Sequence, residues 1–484
     1  MKKFNIVVKN RSIVIFSIIL ILTIFLRFWR LEEIPYYQTG NFLGDVISFS
    51  TYSPSGLFNY YTYMHTEYKA AGFHYLTYPL KFLTPGSLLY YRIVTTFFDV
   101  LTVIFLFLFL WDFLGERYAI VGSLIYAIFP NAINWARTGI DVSLLSFSLC
   151  VTLFLFYRWY KTRNKKYIYI GSFLAGYGIS IQIAFVYVVM SYIILALILF
   201  LHHKKFRKRL LNKQIVIVIF FFSMGLFPYI IGNLLWNFAT INSITKNLSV
   251  QTWGSNNLKL RFEQFNWITG DLHHETFYPI LKTFNFTFLI LLLSSIYIIY
   301  KRDNKGLFLT LLLIFSFFLS IFTIGVAGKT HIIFLIPLTV MIISRIADNR
   351  IFLVLLLYLV IFCIILTGNY MRQYTGDEYG YKALINYLKV NKPEHVVMSN
   401  DATQVVIDYF YGNTVYTEKY SLESCISYVT EHSDTWCILD GIIDIDKKTN
   451  EFISDNHLHL KIIKTITVSD PNYGITYIVV GAEK

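Results

Sequence analysis

The sequence predicts an α-helical polytopic membrane protein with about eleven transmembrane helices and a small extracytoplasmic C-terminal α/β domain. Apolar residues make up 56% of the 484 residues and charged residues only 15%, whereas soluble domains carry about 25% charged residues. Much of the chain consists of apolar runs close to the roughly 17 to 25 residues that a spanning helix needs. From about Tyr370 the composition becomes that of a soluble domain. These features argue against a soluble enzyme and against a disordered protein.

Short links join the predicted spans except at two places. The loops at residues 29–87 and 234–282 are long and rich in Tyr, Trp, Asn and His. Loops of this length are more often functional than idle, so we expect both to form the aqueous face of a site. The spans lie near residues 12–28, 88–111, 118–134, 142–160, 167–181, 183–201, 214–233, 283–300, 306–325, 331–344 and 351–368.

The distribution of Lys and Arg predicts the orientation, because membrane insertion retains positive charge in short cytoplasmic loops. With the N-terminus inside, the 46 residues of the inside segments hold 20 Lys or Arg, whereas the 120 residues of the outside segments before the last span hold nine. We therefore expect a multi-pass protein of the cytoplasmic membrane with a cytoplasmic N-terminus and an extracytoplasmic C-terminus. The formal net charge of +13 comes largely from these anchors, so no nucleic-acid partner is predicted.

The chain divides into a transmembrane module, residues 1–370, and an extracytoplasmic domain, residues 371–484. In the second part, short apolar runs alternate with helix-like stretches, which is typical of an α/β domain. Cys425 and Cys437 both fall there, and their spacing leaves open whether they form a disulfide. The apolar runs are His395–Met398, Trp436–Leu439, Leu460–Val468 and Ile475–Val480, and the helix-like stretches lie near residues 402–411, 421–431 and 446–455.

Asp45 is the first candidate for chemistry. It follows the first span in a loop with few other carboxylates. An ionisable residue near the membrane is costly, so one that does not anchor the topology is a candidate for function. A carboxylate at the membrane–water boundary can orient a hydroxyl nucleophile or accept its proton. The alternative is a solvated loop residue or a turn cap.

Two further outside segments carry positive charge. Arg137 lies in the link between the third and fourth spans, and its guanidinium can bind a phosphate in a bidentate manner. Asp141, in the same link, either pairs with Arg137 or caps the next helix. Lys329 and His331, at the start of the tenth span, can stabilise an anionic leaving group. The alternative for that pair is an outward membrane anchor.

The remaining polar candidates are weaker. Arg92 and Asp99 lie seven residues apart on one face of the second span, and we expect an internal polar contact that fixes helix packing. Residues 271–275 hold one Asp, two His and one Glu, but an exposed turn explains them more simply than a metal site. The sequence contains no glycine-rich phosphate loop and no nucleophile elbow. It therefore predicts no cofactor and leaves a divalent metal open.

Taken together, four segments resemble the GT-C superfamily of polytopic membrane glycosyltransferases, which includes protein O-mannosyltransferases and aminoarabinose transferases. The first runs from a basic and aromatic helix end to an Ile-Pro pair, and it precedes a loop with a carboxylate. The resemblance covers most of the first 180 residues and afterwards only the topology. The segments are residues 26–35, residues 73–79 followed by Tyr91 and Arg92, residues 135–141 and, more faintly, residues 329–337.

The resemblance implies an enzyme that transfers a sugar from a polyprenyl-phosphate-linked donor. The acceptor would be a glycan, lipid or protein outside the cytoplasmic membrane, and a single displacement would invert the anomeric centre. The implied site consists of Asp45 as base, of Arg137, Lys329 and His331 at the donor phosphate, and of His74, Arg92, Asp99 and Asp141 as supporting polar residues.

Three alternatives stay open. A lipid-linked glycan polymerase or ligase would need a lipid-linked oligosaccharide as donor. A transporter or flippase would line its pathway with Arg92 and Asp99, and Asp99→Asn would abolish transport while affecting a transferase only modestly. A structural envelope protein would tolerate loss of Asp45 and fail on deletion of residues 376–484. The sugar, the acceptor and the oligomeric state do not follow from the sequence.

Overall fold

The computed structural model divides the chain into two compact units, whose boundary near the C-terminal end falls between Met371 and Arg372. The first contains the apolar helices and the second contains a five-stranded sheet. The first long loop also contains two short paired strands, β1 (Asn59–Thr62) and β2 (Glu67–Ala70). The structure describes residues 10–31, 59–62, 67–70, 72–83, 89–202, 214–235, 238, 265, 286–321, 332–373, 381–398, 414–415, 425, 428–430, 435–441, 460–468 and 475–482.

Every one of the eleven predicted spans contains a helix, which confirms the predicted helical architecture. Short 3₁₀ segments at Tyr78–Leu83, Asp141–Leu144, Ile183–Phe185 and Arg345–Asp348 adjoin the longer helices. The α-helices are α1 (Asn10–Phe28), α2 (Gly72–Thr77), α3 (Leu89–Phe113), α4 (Glu116–Ile128), α5 (Pro130–Arg137), α6 (Leu145–Thr162), α7 (Lys165–Ile181), α8 (Val186–His202), α9 (Gln214–Leu235), α10 (Phe286–Tyr300), α11 (Asn304–Ile321), α12 (Leu335–Ser344), α13 (Arg350–Gln373) and α14 (Tyr381–Asn391).

Six of the described helical segments are long and apolar enough to cross a membrane, and the bent pair α4–α5 is a seventh candidate. Helices α10 and α13 contain shorter apolar stretches. The predicted spans at residues 167–181 and 331–344 correspond to helices of 17 and 10 residues. The chain is therefore a multi-pass membrane protein.

The third predicted span is broken rather than continuous. Helices α4 and α5 are bent by 59°, and Pro130 occupies the first turn of α5. Proline has no N–H and clashes with the preceding turn, so it favours a helix start over a helix interior. The hydroxyl of Thr367 donates to the carbonyl of Ile128 at this break, at 2.9 Å. The bend turns α5 away from the axis of α4 and places Arg137 at its end.

Helices α7 and α9 cross at two glycines. A Cβ atom at Gly176 would collide with the carbonyl oxygen of Phe222, and one at Gly225 would collide with that of Phe173. The hydroxyl of Ser180 donates to the carbonyl of Gly225 at 3.0 Å. Small residues permit such close backbone contact between helices in lipid, where packing rather than burial from water drives association.

Ion pairs join helix ends that the charge distribution places on one side of the membrane. Asp112, at the end of α3, pairs with Arg158 at 2.7 Å and with Lys161 at 3.2 Å, both near the end of α6. Asp303, before α11, pairs with Arg345 at 2.6 Å. These contacts agree with a common side for the four segments, and which side of the membrane that is stays a prediction.

The C-terminal unit contains a mixed sheet with strand order β4-β3-β5-β7-β6. Strand β3 is parallel to β4 and β5, whereas β7 runs antiparallel to β5 and β6. Strand β4 and helix α14 were not expected from the sequence. The predicted helix at residues 421–431 is present at residue 425 and residues 428–430, and those at 402–411 and 446–455 lie outside the described residues. The strands are β3 (His395–Met398), β4 (Thr414–Val415), β5 (Thr435–Gly441), β6 (Leu460–Val468) and β7 (Ile475–Ala482).

A disulfide joins Cys425 to Cys437, whose Cα atoms are 5.6 Å apart. Both residues belong to a buried cluster on one face of the sheet, with residues of β3, β5 and β7 and with Val429. The bond ties residue 425 to β5 and settles the pairing that spacing alone left open. In the chain-entropy account, a cross-link over a loop of this length stabilises a domain by about 3 kcal/mol.

We predict that Gly225→Ala destabilises the helical unit. The new methyl group meets the backbone of α7 and forces the two helices apart, and such overpacking costs about 1–3 kcal/mol. The matched control is Gly368→Ala in α13, where an added Cβ meets nothing within 4 Å. Thermal unfolding in detergent measures both variants. Gly225→Ala should melt well below the wild type and Gly368→Ala at or above it, and equal melting of the two variants would contradict the close crossing.

Candidate functional site

Five of the eight predicted site residues lie in the described part of the helical unit. His74, Arg92, Asp99, Arg137 and Asp141 are all buried. Asp45, Lys329 and His331 lie outside the described residues, as do residues 271–275. The structure therefore places the four supporting residues and Arg137, whereas the roles of Asp45, Lys329 and His331 stay predictions.

Arg137 ends α5 with its guanidinium against the carboxyl end of α1. Its Nη1 donates to the carbonyls of Leu26 and Arg27, both at 2.9 Å. Its Nη2 donates to the carbonyls of Trp29 and Arg30, at 2.8 and 3.0 Å. The last carbonyls of a helix have no partner within the helix. Both terminal nitrogens of Arg137 thus serve as the cap of α1.

Arg92, on α3, bonds the next carbonyl along the chain after those that Arg137 bonds. Its Nη1 donates to the carbonyl of Leu31 at 2.8 Å. Gly139, with a φ of 80°, lies against it, because an added Cβ would come within 3.2 Å of the Arg92 backbone nitrogen and Cγ. Glycine adopts this left-handed backbone without a steric penalty. The link after α5 therefore packs directly on the arginine that holds Leu31.

Asp99 is paired with Arg27 of α1 rather than with Arg92 of its own helix. Arg27 Nε lies 2.7 Å from one carboxylate oxygen of Asp99, and the hydroxyl of Tyr126 donates to the other at 2.7 Å. Arg27 also donates to the carbonyls of Ala127 and Tyr126. Asp99 thus joins α1, α3 and α4, and the predicted contact between Arg92 and Asp99 was wrong. Arg27 was not among the predicted site residues, although a charge inside an apolar run is a signal of a buried partner.

Asp141 occupies the start of the 3₁₀ segment that precedes α6. One carboxylate oxygen accepts from the backbone N–H of Val142 at 2.8 Å, and the other accepts from Nε2 of Gln182 at 3.0 Å. Gln182 lies in the break between α7 and the following 3₁₀ segment. The contact therefore joins the start of the 3₁₀ segment before α6 to the end of α7, and at both positions backbone groups lack partners within a helix.

His74 lies on α2, close to the end of α7. The hydroxyl of Tyr177 donates to the carbonyl of Gly72 at 2.7 Å, and an added Cβ at Gly72 would lie 2.5 Å from the carbonyl oxygen of Ser180. His74 itself is buried, and the resulting desolvation lowers its pKa to about 3. The imidazole is neutral near pH 7, so it can support the site by packing and hydrogen bonding but does not carry charge to a phosphate.

The described part of the chain contains no cluster of side chains suited to bind a metal ion. Across those residues, no group of three or more His, Cys, Asp or Glu side chains is arranged to hold a metal ion. The described site consists instead of buried arginines, backbone carbonyls and two carboxylates.

Solved structures share the fold of this chain. The apo structure of ArnT from Cupriavidus metallidurans aligns with a TM-score of 0.60 at 10% identity and covers 96% of this chain and 97% of that one. The same protein bound to undecaprenyl phosphate gives a TM-score of 0.62 at 10% identity, with 97% of each chain covered. The chain has the GT-C fold.

The structure of a second protein and a family model also match the chain. The apo oligosaccharyltransferase of Archaeoglobus fulgidus gives a TM-score of 0.51 at 12% identity and covers 92% of this chain and 71% of that one. The model of the dolichyl-phosphate-mannose-protein mannosyltransferase family matches residues 82–227, which include Arg92, Arg137 and Asp141. No curated protein sequence matches the chain significantly.

We predict that Asp99→Asn strongly destabilises the helical unit. The change leaves the guanidinium of Arg27 buried without a countercharge, and breaking a buried pair from one side costs about 3–5 kcal/mol. The double variant Arg27→Met with Asp99→Leu removes both charges and should recover much of the loss. Thermal unfolding in detergent measures the three proteins. An Asp99→Asn variant as stable as the wild type, or a double variant no better than the single one, would contradict the pairing. Because the substitution acts on stability, it does not separate a transporter from a transferase.

Proposed function

We propose that the protein is a membrane glycosyltransferase that transfers a sugar from a polyprenyl-phosphate-linked donor to an acceptor outside the cytoplasmic membrane. The main support is the near full-length agreement in fold with ArnT, whose solved structures include one bound to undecaprenyl phosphate. The mannosyltransferase family model over residues 82–227 points to the same class of reaction.

In the proposed mechanism, Asp45 accepts the proton of the acceptor hydroxyl as that oxygen attacks the anomeric carbon. The bond from this carbon to the phosphate oxygen breaks in the same displacement, so polyprenyl phosphate leaves and the anomeric centre inverts. Lys329 and His331 stabilise the negative charge on the departing phosphate. Donors of this kind commonly contribute about 3–4 kcal/mol to transition-state stabilisation.

We place the site on the extracytoplasmic side. The concentration of Lys and Arg in the inside segments supports this orientation, and it puts residues 29–87, 326–330 and 371–484 outside. The disulfide between Cys425 and Cys437 gives independent support, because structural disulfides persist in oxidising compartments and are rare in the cytosol.

A lipid-linked glycan ligase is the second candidate, and the fold similarity to the Archaeoglobus fulgidus oligosaccharyltransferase favours it over a transporter. The two enzyme classes differ in the donor they accept. A ligase requires a lipid-linked oligosaccharide, whereas the proposed transferase uses a single sugar on polyprenyl phosphate.

We predict that Asp45→Asn abolishes donor turnover without unfolding the protein. Loss of a general base commonly lowers the rate by about 10²- to 10⁴-fold. The assay follows release of polyprenyl phosphate from a panel of polyprenyl-phosphate monosaccharides and lipid-linked oligosaccharides, in the presence of candidate acceptors. Lys329→Gln is the companion variant and should weaken the donor interaction while retaining the base.

The melting temperature of Asp45→Asn serves as the folding control. Turnover that persists in the folded variant would assign the base elsewhere. Turnover only with oligosaccharide donors would favour the ligase, and turnover with no donor would reject the proposed function.

A further inference from the structure

The carboxyl end of α1 is held by side chains that are distant in sequence. Arg137 bonds four of its carbonyls through Nη1 and Nη2, and Arg92 bonds that of Leu31. Both arginines are buried, and Arg137 is 0% exposed. The planar guanidinium fork is suited to several acceptors at once, in a way that a lysine ammonium is not.

We infer that Arg137, assisted by Arg92, is a positioning residue of the transfer reaction: it fixes the carboxyl end of α1 and is not a ligand of the donor phosphate. The inference rests on the proposed function and changes the role that the sequence resemblance implies for Arg137. It concerns the described residues Leu26 to Leu31 and the two arginines that hold them.

The hydrogen bonds of Arg137 argue against its binding the donor phosphate. A bidentate phosphate takes N–H groups of the guanidinium, but both terminal nitrogens already donate to carbonyls at 2.8–3.0 Å. Displacing these bonds would leave buried carbonyls without donors, which is unfavourable in an environment that excludes water. The binding energy of the phosphate would be offset by that loss.

A further observation supports positioning. Arg30 has a left-handed backbone, with a φ of 52°, and its guanidinium lies over the ring of Trp29 at 5.5 Å. Such a backbone is unfavourable for a residue other than glycine and persists where surrounding contacts fix it. Arg137 bonds the carbonyls of both residues, so it fixes the direction in which the chain leaves α1. In sequence, that chain leads to Asp45.

The test compares Arg137→Lys and Arg137→Gln with Lys329→Gln. Arg137→Lys keeps the positive charge but loses the planar guanidinium that bonds several carbonyls at once. If Arg137 is a positioning residue, this variant should therefore have the same effect as Arg137→Gln. Both should lower turnover at saturating donor by about tenfold or more, since small misplacements of reacting groups have effects of this order. The affinity for undecaprenyl phosphate alone should stay within about twofold of the wild type. A phosphate ligand predicts the reverse, with affinity lost in Arg137→Gln and largely retained in Arg137→Lys.

Hydrogen exchange gives a readout that needs no donor. The amides of Trp29 and Leu31 bond to the carbonyls of Phe25 and Phe28, and release of the helix end should accelerate their exchange in both Arg137 variants but not in Lys329→Gln. Unchanged exchange at these amides would overturn the inference, as would a lower affinity for undecaprenyl phosphate in Arg137→Gln. If the wild type turns over no donor, the proposed function fails, and exchange still reports on the role of Arg137 at α1.

Should the Arg137 variants not fold, Arg92→Lys provides a milder change, because it removes the guanidinium that bonds the single carbonyl of Leu31. We expect faster exchange at Leu31, a smaller loss of turnover of about two- to fivefold, and unchanged affinity for undecaprenyl phosphate. Normal exchange and turnover in this variant, or weaker binding of undecaprenyl phosphate, would overturn the inference in the same way.

Discussion

The structure of the helical unit depends on how the carboxyl end of α1 is accommodated inside the protein. A helix that ends against other helices leaves carbonyls without intrahelical partners, and the apolar surroundings supply no water to satisfy them. Arginine side chains from α3 and α5 donate to these carbonyls. The bend at Pro130 contributes to this capping, because it brings Arg137 to the end of α1.

The buried pair of Arg27 and Asp99 adds a second constraint at the same place. A charge in this environment is tolerated only when it is paired and hydrogen-bonded, and Tyr126 completes the carboxylate's contacts. The pair joins α1 to α3 and α4, while Arg137 joins α1 to α5. The first helix is therefore held by contacts with α3, α4 and α5.

Hydropathy predicted the positions of the helices well, because lipid requires long apolar runs and leaves little choice of structure. It did not predict the partners of buried charges. Arg27 lies close enough to a span end to resemble an interfacial anchor, and only the folded chain brings Asp99 to it. Arg137 was found through its motif, but its contacts depend on the bend after α4. In the C-terminal domain, each of the four apolar runs corresponds to a strand. The strand Thr414–Val415 has only two residues, which is too short for an alternating apolar pattern to be recognised.

The most direct measurement is the position of the phosphorus atom in an experimental structure of the protein with undecaprenyl phosphate bound. We predict that the phosphate lies beside Lys329 and His331, and that Arg137 keeps its bonds to the carbonyls of residues 26–30. A phosphate bound by Nη1 and Nη2 of Arg137, with those carbonyls released, would contradict the positioning role and return Arg137 to the donor site.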